Sequence, residues 1–283
     1  MSRWARLTQS LALLPFLGYL FVFLLIPTVT VVVGAFVEDG RPSLANVSAL
    51  GDPVALTTLR TSVVLSAASA AIGAVFGSVL AYLVVTGSPD SLLRRFVTSL
   101  SGVLAQCGGV MLAFAFIATI GFTGTLTVWV KSHLGLDIYG SGWLFDLPGL
   151  ILVYSYFEIP LMVIVFLPAL DGIRPQWREA SVTLGATGWQ YWTQVAIPLL
   201  RPAFLGAALL LFANAFAAYA TAAALVSQGS PIVPLLIRAG LSSEVLLGHQ
   251  NLAFALAFEM IVGVAIVMGL YALLLRRTAR WLQ

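Results

Sequence analysis

Six stretches of this chain are each long and apolar enough to cross a lipid bilayer, and no other feature constrains its fold as strongly. A helix needs about 20 apolar residues to span a hydrocarbon core of about 30 Å. Runs at 11–34, 62–85, 97–120, 147–170, 203–225 and 252–275 meet that length. Lipid offers the backbone no hydrogen bonds, so every N–H and C=O must be satisfied within the segment, and such runs become helices. Of the 283 residues, 60% are hydrophobic and only 9% are charged, against about 25% charged in a soluble domain. A chain so poor in charge has no means of covering a water-facing surface. The expected fold class is an all-α integral membrane protein with six transmembrane helices.

The placement of the cations gives these spans a direction. Arg3, Arg6, Arg94, Arg95, Arg174, Arg178, Arg201, Arg276, Arg277 and Arg280 fall on one side, and Arg41, Arg60, Lys131 and Arg238 on the other. Ten against four assigns both termini to the cytoplasm, because positively charged loops stay inside. Glu38, Asp39, Asp52, Asp137, Asp146 and Glu244 fall on the outer side. The first run follows Arg3 and Arg6 as a signal peptide would, yet its apolar stretch is about twice a signal core and no A-x-A site follows. It is expected to remain as the first span. The outer loops, 37–61, 121–146 and 226–251, are too short for independent domains, so any recognition domain would be a separate protein. Two of them carry turn-rich stretches, "EDGRPSLANVSALGDP" and "VSQGSPIVP".

Several chemistries are missing. No G-x-x-x-x-G-K-[ST] occurs, so the chain has no phosphate-cradling loop of its own. His133 and His249 are solitary and Cys107 is the single cysteine, which excludes an internal disulfide and leaves no metal-ligand cluster. No G-x-S-x-G elbow occurs. No catalytic residue, metal or cofactor is expected in this chain. A net charge of +3 is too small to argue for nucleic acid.

Between the fourth and fifth spans lies a 32-residue cytoplasmic loop, 171–202, containing "WREASVTLGATGWQYWTQVAIPLLRPAF". It reads as two short helices about a turn. The first opens at Pro175, a favoured first-turn position, and stops at Gly185. The second places Trp189, Trp192, Val195 and Ala196 on one face and is expected to end at Pro198, with Pro202 opening the next span. On the residues alone, such a hairpin fits either a docking surface for a soluble partner or an interfacial helix anchored by its tryptophans.

Glu179-Ala180-Ser181, Gly185 six residues after the glutamate, and Val195-Ala196-Ile197-Pro198 resemble the EAA loop of permease subunits of binding-protein-dependent ABC importers. Ser181 stands in place of the second alanine. The resemblance implies the type I importer permease fold. It divides the chain into residues 1–55, holding the first span and first external loop, and a permease core at 56–283. It further implies that Glu179, Ala180, Gly185 and Pro198 form a coupling helix seated on a dimer of ABC ATPase subunits. ATP and Mg would be held there, and this chain would be no enzyme. The other partners implied are a second permease subunit, forming a heterodimer, and an extracytoplasmic solute-binding protein, at the plasma (inner) membrane of a prokaryote. The stretches "LLPFLGYLFVFLLIPTVTVVVGAF" and "LLLFANAFAAYATAAALVSQGSPIVPLLI" resemble the polyamine (spermidine/putrescine-like) subgroup, whose relatives carry 2-aminoethylphosphonate, ferric iron and thiamine. A transporter driven by an ion gradient is the competing class.

Four polar residues fall within the spans. At about 1.5 Å per residue, Gln106, Glu158 and Asn214 lie about 15–17 Å deep, close to mid-bilayer, and Glu259 about 10 Å from the outer surface. Ionisable groups in the bilayer cost at least about 2.5–3.5 kcal/mol and mark functional candidates. One reading has them line a translocation path whose negative charge suits a cationic solute. The other has them bonding across helices or lining a permease–permease interface. Gly73, Gly77, Ala207, Ala208 and Gly263 are expected to let helices pack closely.

Overall fold

The computed structural model describes residues 14–38, 40–88, 91–140, 142–226, 232–242 and 251–279, with side chains to residue 273. Arg3, Arg6, Arg280, Asp39, Glu244, His249, most of "VSQGSPIVP" and the side chains of Arg276 and Arg277 lie outside the described residues. Among the described residues the regular structure is helical apart from one antiparallel pair of two-residue strands, β1 (Val37–Glu38) and β2 (Arg41–Pro42). The principal helices are α1 (Leu14–Ala35), α2 (Pro53–Thr86), α3 (Leu92–Gln106), α4 (Gly109–Ile120), α5 (Thr125–Leu134) and α6 (Leu147–Asp171). They are followed by α7 (Pro175–Thr183), α8 (Gly188–Tyr191), α9 (Ile197–Ala217), α10 (Ala220–Leu225), α11 (Val233–Ser242) and α12 (Leu252–Ala279).

Among the described residues six segments are long and apolar enough to cross a membrane: Leu14–Ala35, Pro53–Thr86, Gly109–Leu134, Leu147–Asp171, Gly188–Ala217 and Leu252–Leu273. The number agrees with the sequence, and three boundaries do not. The second span begins nine residues earlier than expected, so Arg60 lies within a helix rather than a loop. The stretch 97–120 is not one helix, because the chain breaks at Cys107–Gly108 between α3 and α4. The stretch 203–225 breaks too: Ala218 leaves helical geometry at φ −72°, ψ 114° between α9 and α10. Large apolar side chains are left exposed along these segments, among them Phe23, Phe76 and Phe114.

The contacts fall into two compact units, residues 1–57 with 236–262, and 58–235 with 263–283. In the second, α6 is the central element: its Val153, Tyr154, Met162 and Val163 are fully buried. Helix α2 lies directly on it. A Cβ added at Gly73 would fall 2.7 Å from the Glu158 Cβ, and one at Gly77 2.4 Å from the Met162 Cβ. The Gly-xxx-Gly pair thus brings two backbones together as expected of small residues in membrane helices. Ala207 is buried in the cluster that includes Met162 and Ala208 packs against it, whereas a Cβ added at Gly263 would meet Phe216 only at ordinary contact distance, so that glycine is not needed for close packing. Ser62, buried on α2, accepts a hydrogen bond from the Val233 N–H and so anchors the start of α11. In the first unit the Val37 carbonyl accepts from both Asn46 Nδ2 at 2.9 Å and Asn251 Nδ2 at 2.7 Å. Gly34 lies against the Phe254 ring, and Phe36 meets Phe258 edge-on.

Candidate functional site

Two parts of the larger unit hold candidate functional residues. The first is the loop between α6 and α9. Helix α7 opens with Pro175 at its first turn and closes on Gly185, whose φ of +79° is the left-handed geometry that glycine adopts without strain. The Ala186 N–H reaches the Ser181 carbonyl and the Gly185 N–H reaches that of Val182, both at 2.9 Å. This pair of bonds is a Schellman stop. Two residues later the chain starts again with a capping box. The Gln190 N–H donates to Thr187 Oγ1 at 3.3 Å, and the Thr187 N–H to Gln190 Oε1 at 2.7 Å. The stop of α7 and the start of α8 are both satisfied by their own neighbours, so the turn between them is set locally.

The structure corrects two expectations here. Pro198 does not end a helix. Helix α8 passes through a widened π turn at Trp192–Ala196 into α9, giving one helical run of 30 residues, Gly188–Ala217, with Pro198 and Pro202 inside it. A proline ring clashes with the carbonyl four residues back, and the wider turn just before Pro198 relieves that clash. The π turn also shifts the buried face. Tyr191, Ala196 and Leu200 point inward, at spacings of five and then four, whereas Trp189 is 76% exposed and Trp192 and Val195 are half-buried. Glu179, Ala180 and Gly185 are exposed, as are Val182, Leu184 and Trp189, so the hairpin presents apolar side chains beside a carboxylate with none of the described residues over them. At its base Arg94, at the start of α3, pairs with Asp171, the last residue of α6.

The second part lies at mid-span. Glu158, fully buried, sits one residue before the middle of α6, and its Oε1 accepts from Asn214 Nδ2 of α9 at 3.0 Å. Its Oε2 is buried and has no partner among the described residues. One turn away, the Tyr154 hydroxyl donates to the Ala218 carbonyl at 2.6 Å, at the break between α9 and α10. Thr221 Oγ1 of α10 accepts from the Gly109 N–H at 2.8 Å, at the break between α3 and α4. Gly109 takes φ +77°, and Gly108 lies against Phe157. Two helices are therefore interrupted side by side, and side chains from α6 and α10 satisfy the backbone groups that the interruptions free. Non-helical backbone at membrane depth survives only where protein groups or a water-filled cavity satisfy it.

Of the four intramembrane candidates, Glu158 and Asn214 come together as a bonded pair. Gln106 is the last residue of α3, exposed at the rim of the break. Glu259 belongs to the other compact unit, where its Oε2 is buried without a described partner. Tyr154, Thr221 and Gly109 were not singled out by the sequence. The Gly108–Gly109 dipeptide inside an apolar run was the available signal for the first break; no glycine or proline marks the second.

A family model described as the binding-protein-dependent transport system inner membrane component matches residues 73–280. The sulfate transport system permease protein CysW of Escherichia coli K12 is 29% identical over 192 residues, covering 68% of this chain and 62% of that protein. The match therefore spans less than two thirds of that relative. The ferric transport system permease protein FbpB of Actinobacillus pleuropneumoniae is 25% identical over 73% of this chain and 30% of that protein. The thiamine transport system permease protein ThiP of Haemophilus influenzae is 25% identical over 44% of this chain and 23% of that protein. Among solved structures, a chain of a bacterial ABC transporter involved in import of the acidic polysaccharide alginate superimposes with a TM-score of 0.75. That likeness covers 96% of this chain and 95% of the other at 18% identity, which shows a shared fold. The alginate transporter in complex with a periplasmic protein bound to an alginate pentasaccharide gives a TM-score of 0.70 at 17% identity, over 96% and 94% of the two chains.

Proposed function

The chain belongs to the family of binding-protein-dependent transport system inner membrane components, and from that premise we propose that it turns ATP-driven movement of separate ATPase subunits into solute passage across the membrane. The observation that carries this reading is the continuity of Gly188–Ala217. The exposed hairpin is not tethered by a flexible linker; its second arm runs without interruption to mid-span, where Asn214 holds Glu158. A displacement imposed on Glu179, Ala180 or Gly185 by a partner ATPase would be carried along a rod of about 45 Å to the broken-helix junction. There one side-chain bond ties α10 to α4 and another ties the α9–α10 break to α6, and these would exchange partners as the path opens. The buried Oε2 of Glu158 offers an acceptor for such an exchange. Both termini and the hairpin face the cytoplasm in this reading, and a second permease subunit and an external solute-binding protein complete the assembly.

The solute is read differently from the sequence expectation. Relatives reported above are named for sulfate, ferric iron and thiamine, and the polyamine assignment gains no support from them. The charge argument for a cation also weakens, because Glu158 is fully buried and bonded to Asn214 instead of lining an open channel. A small solute handed over by a binding protein, with sulfate, ferric iron and thiamine as the first to screen, fits best.

The test is uptake and solute-stimulated ATP hydrolysis by the complex co-purified with its ATPase, comparing wild type with Gly185→Val. A β-branched residue at φ +79° costs about 1–2 kcal/mol and undoes the stop of α7. Uptake should be lost while membrane insertion stays normal. Full uptake by the variant, or elution of the chain without any ATPase, would overturn the reading in favour of a gradient-driven transporter.

A further inference from the structure

The larger unit has a cavity of about 440 Å³ at the hairpin end of its membrane helices, well apart along α6 and α9 from the mid-span junction. Its walls come from the end of α2 (Ser78, Tyr82), the end of α6 (Phe166) and the run from Trp192 into α9 (Arg201, Phe204). Two edge-to-face ring pairs build it: Tyr82 with Trp192, centroids 5.1 Å apart, nearer the hairpin, and Phe166 with Phe204, 5.9 Å apart, deeper in the span. Almost everything facing the space is hydrocarbon. The exception is Arg201, the one charged residue lining it, which has no ion pair or hydrogen bond among the described residues.

Arg201 is exposed near the hairpin end of the run Gly188–Ala217, and its guanidinium stands beside an apolar cavity. Arg201 sits about 6 Å along α9 from its start. Side chains of a helix lean toward its N-terminus, which for α9 is the hairpin end, so the guanidinium reaches back toward the headgroup layer. The ring pair Tyr82–Trp192 marks the same level, since such side chains concentrate at the membrane–water boundary. An apolar slot below and a lone cation above it, at interface depth, is the shape and charge of one phospholipid: an acyl chain in the slot and a phosphate on the arginine. The volume falls within the roughly 300–1,000 Å³ of small-molecule sites.

We propose that this cavity is a structural binding site for an anionic phospholipid of the leaflet facing the hairpin, held by Arg201 at its headgroup and by Phe166 and Phe204 at its acyl chain. The occupant would brace α2 against the π turn from which the hairpin springs. The inference requires only that the chain spans a bilayer, so it stands or falls apart from the transport reading.

The test is native mass spectrometry of the full complex extracted from its membrane in mild detergent, after exchange into phosphatidylcholine vesicles with or without phosphatidylglycerol. The wild type should retain phosphatidylglycerol in preference to phosphatidylcholine by about fivefold per cation contributed. Arg201→Gln should abolish the preference and Arg201→Lys should keep it. Ser78→Trp, which fills the slot, should remove the retained lipid altogether, and because Ser78 bonds only its own helix at Val75 that variant should still fold. Equal retention of both lipids by the wild type would overturn the proposal. So would a preference unchanged in Arg201→Gln, or cross-linking of a Tyr82-borne probe to another subunit in place of lipid.

Discussion

The hairpin and the mid-span junction lie on the same helical run and are built by opposite rules. In the hairpin the bonds that stop α7 and start α8 join residues within five positions: Ala186 to Ser181, Gly185 to Val182, Gln190 to Thr187. At the junction the bonds join residues separated by 112, 64 and 56 positions, Gly109–Thr221, Tyr154–Ala218 and Asn214–Glu158. The hairpin therefore keeps its shape wherever it is carried, which suits an element that moves as a body. The junction exists only while three segments stay in register, which suits an element that is remade when they shift.

That contrast predicts where substitutions hurt. Glycines give the sharpest comparison, because adding a side chain probes how close the surroundings are. At Gly77 a Cβ would lie 2.4 Å from Met162 Cβ and 2.6 Å from the Ile159 carbonyl oxygen. Neither is the end of a flexible chain, so Gly77→Leu must push α2 off α6. The expected cost is about 3 kcal/mol or more, read as loss of folded protein in detergent thermal melts. At Gly188, in the first turn of α8, nothing lies within 4 Å, and Gly188→Ala is expected to be neutral or to stabilise by about 0.4–1 kcal/mol. Similar losses at both positions would erase the distinction between the two regions.

Next in size is the pair of capping bonds at the breaks. Thr221→Val keeps the shape and removes the acceptor of the half-buried Gly109 N–H, at a cost of about 1 kcal/mol. Thr221→Ser restores it. If the junction rearranges during transport, the valine variant should lose uptake more than its melting temperature alone accounts for, with serine recovering both. A valine variant with wild-type uptake would leave the junction as static scaffolding.

The same division decides what could be read from the residues. The number of spans, Pro175 as a helix start and Gly185 as a stop all follow from composition, period and single-residue preference, whereas the loop expected at 171–202 gives way at Gly188 to the helical run of the fifth span. The π turn did not, although its cause, Pro198, was in view: a proline in a helical run can end it or distort it, and the packing of Tyr191, Ala196 and Leu200 selects distortion. The break at Ala218 had no local signal at all, for "FAAYATAAAL" has strong helix formers on both sides. Tertiary bonds from Tyr154 and Thr221 override that propensity. Glu158 and Asn214 were legible as costly residues at the right depth, but their pairing with each other was not.

A third turn tests whether locality itself, rather than position at the hairpin end, keeps effects small. Asp137 follows α5 and sits outside the spans, with Oδ1 accepting from the Tyr139 and Gly140 N–H groups, each at 3.1 Å, and Oδ2 meeting Lys131 Nζ at 3.2 Å. The Gly140 amide, followed by Lys131, holds its carboxyl below the ordinary value of 3.8. A carboxyl depressed on folding contributes stability in full above its unfolded value and loses it as pH falls through the folded one. The turn should thus be indifferent to pH across the neutral and mildly acidic range, and the protection of the Tyr139 and Gly140 amides, taken relative to unprotected exchange at the same pH, should fall only below 3.8. Because the group is exposed and its partners are two to six residues away, Asp137→Asn should speed that exchange slightly and leave global melting and uptake unchanged. A global shift in melting would mean that this turn, like the junction and unlike the hairpin, takes its shape from distant parts of the chain.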